Sequence, residues 1–244
     1  MASDSTTAPP LRLHHLLLWM AISALIAAWQ QHVTSTTALN YPSVALPTSL
    51  VDHVQTAIFV VTEATLVTVA LLSIVWKIRG NVDRWEPGQW IALLATTELA
   101  WHVFSTEVAQ AIDRNHLVWW GNWTLWWDFA KSLVFALAFS FLGYFENESR
   151  PWRIAFWVLA LFELFLVTSC LSLIYENWND STFSLPGWTL EAIMSSTTPA
   201  LVIRHAVVAI TAALSLRWGK RFGWAHWTAI VAWLGQFVVM FWKN

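Results

Sequence analysis

The stretch WRIAFWVLALFELFLVTSCLSLIY, Trp152 to Tyr175, decides how the whole chain is read. After Arg153 at its start it contains a single charged residue, Glu163, near its centre. A bilayer presents about 30 Å of hydrocarbon, which a helix of about 20 apolar residues crosses. A helix on a soluble protein keeps a charged face toward water, and this segment has none. It predicts a transmembrane helix at 152–175, the fifth of seven. The others are expected at 13–31, 54–76, 89–111, 124–145, 198–217 and 223–242. The third is the weakest by hydropathy, because it holds Glu98, His102 and Glu107.

Local signals bound these segments. Pro151 falls in the first turn of helix five, where a missing N–H costs nothing. Thr198 followed by Pro199 reads as the cap and first residue of helix six. Pro87 and Gly88 separate a charged loop from helix three, and Gly80, Asn81 and Gly121 are expected in loops, as residues that punctuate helices. Residues 1–12 read as a disordered cytoplasmic tail, and 13–244 as one seven-helix transmembrane domain. A cleavable signal peptide is the weaker reading of 16–29, since no small-x-small site follows closely. Leu185 to Met194 is expected to lie along the membrane interface, and the Thr-, Ser- and Pro-rich stretch 32–50 to be irregular.

Composition agrees. Of the 244 residues 57% are hydrophobic and only 11% are charged, against about a quarter charged in a soluble domain. That is too little charge to cover a soluble surface, and mean hydropathy is +0.51. The chain is rich in tryptophan, with twenty. Trp119, Trp120, Trp123, Trp126 and Trp127 crowd the start of helix four, where amphipathic rings anchor a protein at the interface. Cys170 is the single cysteine, so no intrachain disulfide forms and no cysteine-based metal cluster exists.

The basic residues give the orientation. If seven helices alternate, Arg12, Lys77, Arg79, Arg84, Arg150, Arg153, Arg217, Lys220 and Arg221 fall on one side. The other side receives Arg114 and Lys243, and its long loops hold neither Lys nor Arg. By the positive-inside rule the N-terminus is expected in the cytoplasm and the C-terminus outside.

An ionisable group at mid-membrane costs about 2.5–3.5 kcal/mol on insertion scales, so it faces the bundle interior and finds a partner. The candidates for catalytic use are Glu63 in helix two, Glu98 and His102 in helix three, Glu163 in helix five, and Arg204 and His205 in helix six. Glu98 and His102, four apart, share one helix face and set a protonatable imidazole beside a carboxylate, an arrangement suited to acid–base chemistry or proton relay. Glu163 has no local partner and must find one on another helix. Arg204 is the expected counter-charge to Glu63 or Glu163. By depth these groups run from the membrane middle outward, which predicts an outward-opening polar cavity. Asp128 and Lys131, three apart, are expected to neutralise each other, and Glu107 to be solvated near the outer surface. His14, His15 and His226 are expected at the inner interface, and Cys170 as a small packed residue.

There is no glycine-rich phosphate loop, HExxH pair or GxSxG elbow, and no lysine in mid-helix seven for a retinal Schiff base. A metal on Glu98 and His102 would need further ligands from Glu63, Glu163 or His205, which no local spacing supplies. No cofactor or metal is expected, and short basic clusters at helix ends give no footprint for nucleic acid. The expected partners are membrane lipids and a hydrophobic small-molecule substrate.

Glu98 with Ala100–Trp101–His102 is similar to a short acid- and tryptophan-containing segment of the small seven-helix membrane terpene cyclases of fungi. The acid is displaced and the histidine departs from that pattern, so no family is assigned on it. Three function classes stay open: an enzyme acting on a lipid or isoprenoid-like substrate by acid–base chemistry, a small-solute or proton-coupled transporter, and a membrane scaffold or partner-binding protein without catalysis.

Overall fold

The computed structural model describes residues 10–40, 50–82, 84–114, 120–145, 149–179, 187–218 and 222–241, with side chains for all of these except 36–40, 109–114, 120–124, 176–179, 187–201 and 238–241. The tail before residue 10 lies outside the described residues. The described residues form seven helices: α1 (Leu13–Asn40), α2 (Leu50–Ile78), α3 (Pro87–Arg114), α4 (Trp120–Phe145), α5 (Arg150–Asn179), α6 (Gly187–Arg217) and α7 (Trp224–Phe241). Four stretches, Leu13–Ser35, Leu50–Ile78, Leu125–Phe145 and Arg150–Tyr175, are long and apolar enough to cross a membrane.

The helices overrun the expected spans. At about 1.5 Å per residue, the 30 residues of α5 reach about 45 Å. The irregular stretch expected from residue 32 is helical as far as Asn40. Helix six starts at Gly187, so Pro199 lies inside it and not at its first turn. The segment Leu185–Met194, expected along the interface, supplies the extra turns from Gly187 onward.

The chain divides into two compact units, Met1–Thr97 with Arg221–Asn244, and Glu98–Lys220. In the first unit α2 packs against both α1 and α7. Small residues on α7 allow the close approach: Ala225, Ala229 and Ala232 are buried, and a Cβ on Gly235 would lie 2.8 Å from Thr62 Cγ2. Such small residues let two helix backbones approach closely and gain dispersion energy. Among the described side chains of α1 only His15, Ile22 and Ile26 are buried, while Leu13, Leu16, Leu17, Met20 and Leu25 are exposed. That is a face made for hydrocarbon. Helix α2 ends in a left-handed turn at Gly80 (φ 68°). The amides of Gly80 and Asn81 donate back to the carbonyls of Lys77 and Trp76, at 3.1 and 2.9 Å. This is the Schellman pattern that glycine favours.

The amino ends of α3 and α7 cap each other. Gln89 Oε1 accepts from its own helix's cap residue, Glu86 N, at 2.8 Å, half of a capping box. The Glu86 carboxylate accepts from Gly223 N at 2.7 Å, just ahead of α7. In return His226 Nδ1, in the first turn of α7, accepts from Gly88 N at 2.9 Å. Two of the amides that helix starts leave unpaired are thereby satisfied. His226, expected at the interface, is instead fully buried. His15 is buried too and caps α1, its Nδ1 accepting from Arg12 N at 3.1 Å, whereas His14 is exposed. For His226 the reason is the burial of the α3 start: a helix start inside protein needs an acceptor that water would otherwise supply.

In the second unit α5 packs along α4 and α6. Along α5 the buried residues include Trp152, Ala155, Phe156, Leu159, Ala160, Glu163 and Val167, a stripe at helical spacing. On α4 they include Ser132, Phe135, Ala136, Phe139 and Leu142. Phe139 and Phe156 stack at a centroid distance of 6.3 Å, and a Cβ on Gly143 would sit 3.0 Å from the Trp157 ring. Leu137, Phe141, Ile154, Leu161, Phe165 and Ile210 are exposed. Soluble monomers avoid contiguous apolar faces of this kind.

Candidate functional site

The register of the α4–α5 pair places Glu163. Ser132 lies seven residues before Phe139, and Glu163 seven after Phe156, so antiparallel packing that joins the two rings also joins the serine and the acid. The Ser132 hydroxyl donates to the Glu163 carboxylate. Among the described side chains of α6 the buried residues are Arg204, His205, Val208, Thr211, Ala212 and Ser215, again one stripe. The inward face of α6 therefore carries the cation and the histidine, while Val202, Ile203 and Ile210 are exposed.

Arg204 joins three helices. Its Nη1 and Nη2 donate to Glu98 Oε1 and Oε2 of α3 at 3.3 and 3.0 Å. Nη1 also faces Glu163 Oε1 of α5 at 3.7 Å. The first contact is the two-pronged carboxylate geometry for which guanidinium is shaped. The second is longer and one-pronged. Side-chain exposure rises along the line, from 4% at Glu163 to 9% at Arg204 and 33% at Glu98.

His102, one turn beyond Glu98 on α3, is exposed. The charges of Lys131, Glu98 and Asp128 act on it. Lys131 and Asp128 form the expected neutralising pair, at 3.7 Å and with side chains 30% and 57% exposed. His205 is buried beside Arg204 and contributes to the field at Glu98. Glu107 is exposed, as expected. Trp127 is not simply an interface anchor: it packs on Trp101 and Phe104 of α3, at centroid distances of 4.5 and 5.2 Å. Trp126 is exposed against Phe129, and Trp119 lies outside the described residues.

Of the candidates read from the sequence, Glu98, Glu163 and Arg204 come into direct contact. Arg204 serves Glu98 and Glu163. Glu63, its other expected partner, belongs to the first unit, where it is buried and accepts from Gln236 Nε2 of α7 at 2.6 Å. Two participants escaped the sequence reading, Ser132 and Gln236. Both are neutral, so a search for charged residues in apolar helices passes over them. Gln236 had a usable signal, as an amide in the apolar second half of α7.

Chemically, the cluster holds two carboxylates against one guanidinium. It is electrically balanced when one carboxylate carries a proton, and a proton on Glu163 leaves the bidentate Glu98–Arg204 pair intact. Among the described residues no three His, Cys, Asp or Glu side chains are grouped to hold a metal ion. Comparison with protein-family models, with curated proteins and with solved structures finds no match to this chain.

Proposed function

We propose that the chain is a multi-pass integral membrane protein of seven spans, N-terminus cytoplasmic and C-terminus outside, whose second unit carries an intramembrane acid–base site for a lipid or isoprenoid-like substrate. The distribution of Lys and Arg supports the orientation. A tag fused after Asn244 is then expected to react with impermeant reagents in intact cells, whereas a tag before Met1 reacts only after permeabilisation. The reverse pattern overturns the orientation.

One observation carries the chemical reading: a buried guanidinium held between carboxylates from two other helices, one almost fully buried and one a third exposed. Replacing a buried ion network by packed apolar residues is often neutral or stabilising, so holding helices together does not by itself call for one. In this reading Glu163 is the proton donor or acceptor. Arg204 fixes its position and stabilises negative charge nearby. The aromatic contacts of Trp101, Phe104 and Trp127 offer an apolar surface next to the acid pair.

The test uses the protein reconstituted in lipid nanodiscs and supplied with polyprenyl and acyl lipids, with products followed by mass spectrometry. Glu163→Gln preserves shape and hydrogen bonding but carries no titrating proton. It is expected to fold with an unchanged melting temperature and to lose about a hundredfold in turnover, the usual worth of a positioned acid or base. Unchanged turnover in a folded Glu163→Gln variant removes Glu163 from the site. Solute flux driven by a proton gradient in vesicles, with no lipid transformed, replaces this reading by the carrier one.

A further inference from the structure

We propose that Glu98 and His102 form the route by which Glu163 exchanges its proton with the outer aqueous phase. This rests on the acid–base reading of Glu163 and on the outward run of α3. It adds residues with a duty distinct from the chemistry itself.

A buried acid that turns over must regain or lose its proton each cycle, and hydrocarbon around α5 supplies none. Two Glu98 and Glu163 oxygens share one nitrogen. Glu98 Oε1 is 3.3 Å and Glu163 Oε1 3.7 Å from Arg204 Nη1. The two oxygens are therefore no farther apart than those distances together, about 7 Å, a gap that one or two waters bridge. Arg204 never gives up its own proton. It serves as a fixed positive post to which both carboxylates are held.

From Glu98 the next step lies one turn along α3. His102 is four residues on, about 6 Å farther along the helix axis and on the same face. It is exposed, where Glu163 is buried. Charged and titratable groups from three helices face the route. Around Glu98 they are Arg204 and His205 of α6 and Lys131 of α4. Around Glu163 they are Arg204 of α6, Glu98 of α3, and Lys131 and the Ser132 hydroxyl of α4. Around His102 they are Lys131 and Asp128 of α4 and Glu98 of its own helix.

The transfer balances in three steps. Protonated Glu163 passes a proton through water to the Glu98 carboxylate, leaving Glu163 ionised. Glu98 passes it to the unprotonated nitrogen of neutral His102, giving an imidazolium and regenerating the Glu98–Arg204 pair. The imidazolium releases it to outer water. Uptake runs in reverse. Imidazole is the side chain whose ordinary titration range suits both directions near neutral pH.

The experiment reads Glu163 itself and needs no substrate. The protein is reconstituted with one orientation in vesicles. The protonated carboxyl stretch of Glu163, assigned by its loss in Glu163→Gln, is followed by time-resolved infrared spectroscopy after a pH jump in impermeant buffer. The band is expected to respond faster to an external jump than to an internal one. His102→Gln and His102→Ala are expected to slow the external response about tenfold or more, and added imidazole to restore it in His102→Ala, which a merely misfolded variant would not show. A response at the wild-type rate in both variants, or one faster from the inside, overturns the route while leaving Glu163 as a titrating acid. A Glu163 band that answers neither jump overturns both the route and the acid–base reading beneath it.

Discussion

Arg204→Met is expected to destabilise the protein by about 3–5 kcal/mol, the usual effect of removing one partner from a buried ion pair. Methionine fills much of the same volume, so the loss is electrostatic and not a matter of packing. It leaves the Glu98 and Glu163 carboxylates facing each other across the space that the guanidinium held. Glu98 is a third exposed and can be partly hydrated, so the heavier share falls on Glu163. The check is a denaturation series in detergent micelles. Glu98→Gln with Glu163→Gln in the Arg204→Met background is expected to recover much of the loss, because no charge is then stranded. Arg204→Lys is expected to fall between, since an ammonium cannot span both oxygens of Glu98. A single Arg204→Met variant as stable as the parent overturns the central place given to this cluster.

Gly88→Ala is the second large effect, about 3 kcal/mol, and it acts at the other unit. A Cβ at this position would meet the His226 backbone, with Cα at 2.7 Å and the carbonyl carbon at 2.9 Å. Backbone atoms cannot rotate aside as a flexible side chain does. Overpacking of this kind costs about 1–3 kcal/mol. The same displacement breaks the bond from Gly88 N to His226 Nδ1, and a buried amide left without an acceptor adds about 1–3 kcal/mol. His226→Ala isolates the second contribution, since it removes the acceptor and leaves the backbone in place. In the double variant the clash persists, so it is expected to be no more stable than Gly88→Ala alone. Recovery in the double variant overturns the backbone clash as the cause. Both measurements are thermal melts of the protein in one detergent.

How much of this was legible beforehand differs by level. The seven helices were, and for a local reason. Hydrophobic runs, Pro151 and the Gly80 turn each act on their own neighbourhood, and each lies where the spacing put it. Pro87 with Gly88, expected ahead of helix three, and Gly121, expected in a loop, instead lie in the first turns of α3 and α4. The end of helix one and the start of helix six were not legible, because polar residues continue a helix readily once water replaces lipid around it. Pro199 looked like a helix start by its local chemistry. The helical segment ahead of it overruled that signal.

The cluster was half legible. That Glu98, Glu163 and Arg204 each required a partner followed from the cost of a charge in hydrocarbon. Which partner each took did not. Arg204 and Glu98 stand 106 positions apart, and their meeting depends on helix azimuth and register, neither of which hydropathy encodes. The burial of His226 shows the same limit. Its neighbours in sequence are interfacial in character, but the amide it accepts from is 138 positions away. The sequence by itself determined the helical class, the apolar surfaces and the list of groups that had to be neutralised, because these are properties of each segment in its solvent. Only the tertiary structure decided the pairs, Arg204 with Glu98 and Glu163, Glu63 with Gln236, His226 with Gly88. Pairing is a property of two surfaces brought face to face, and packing fixes which faces meet.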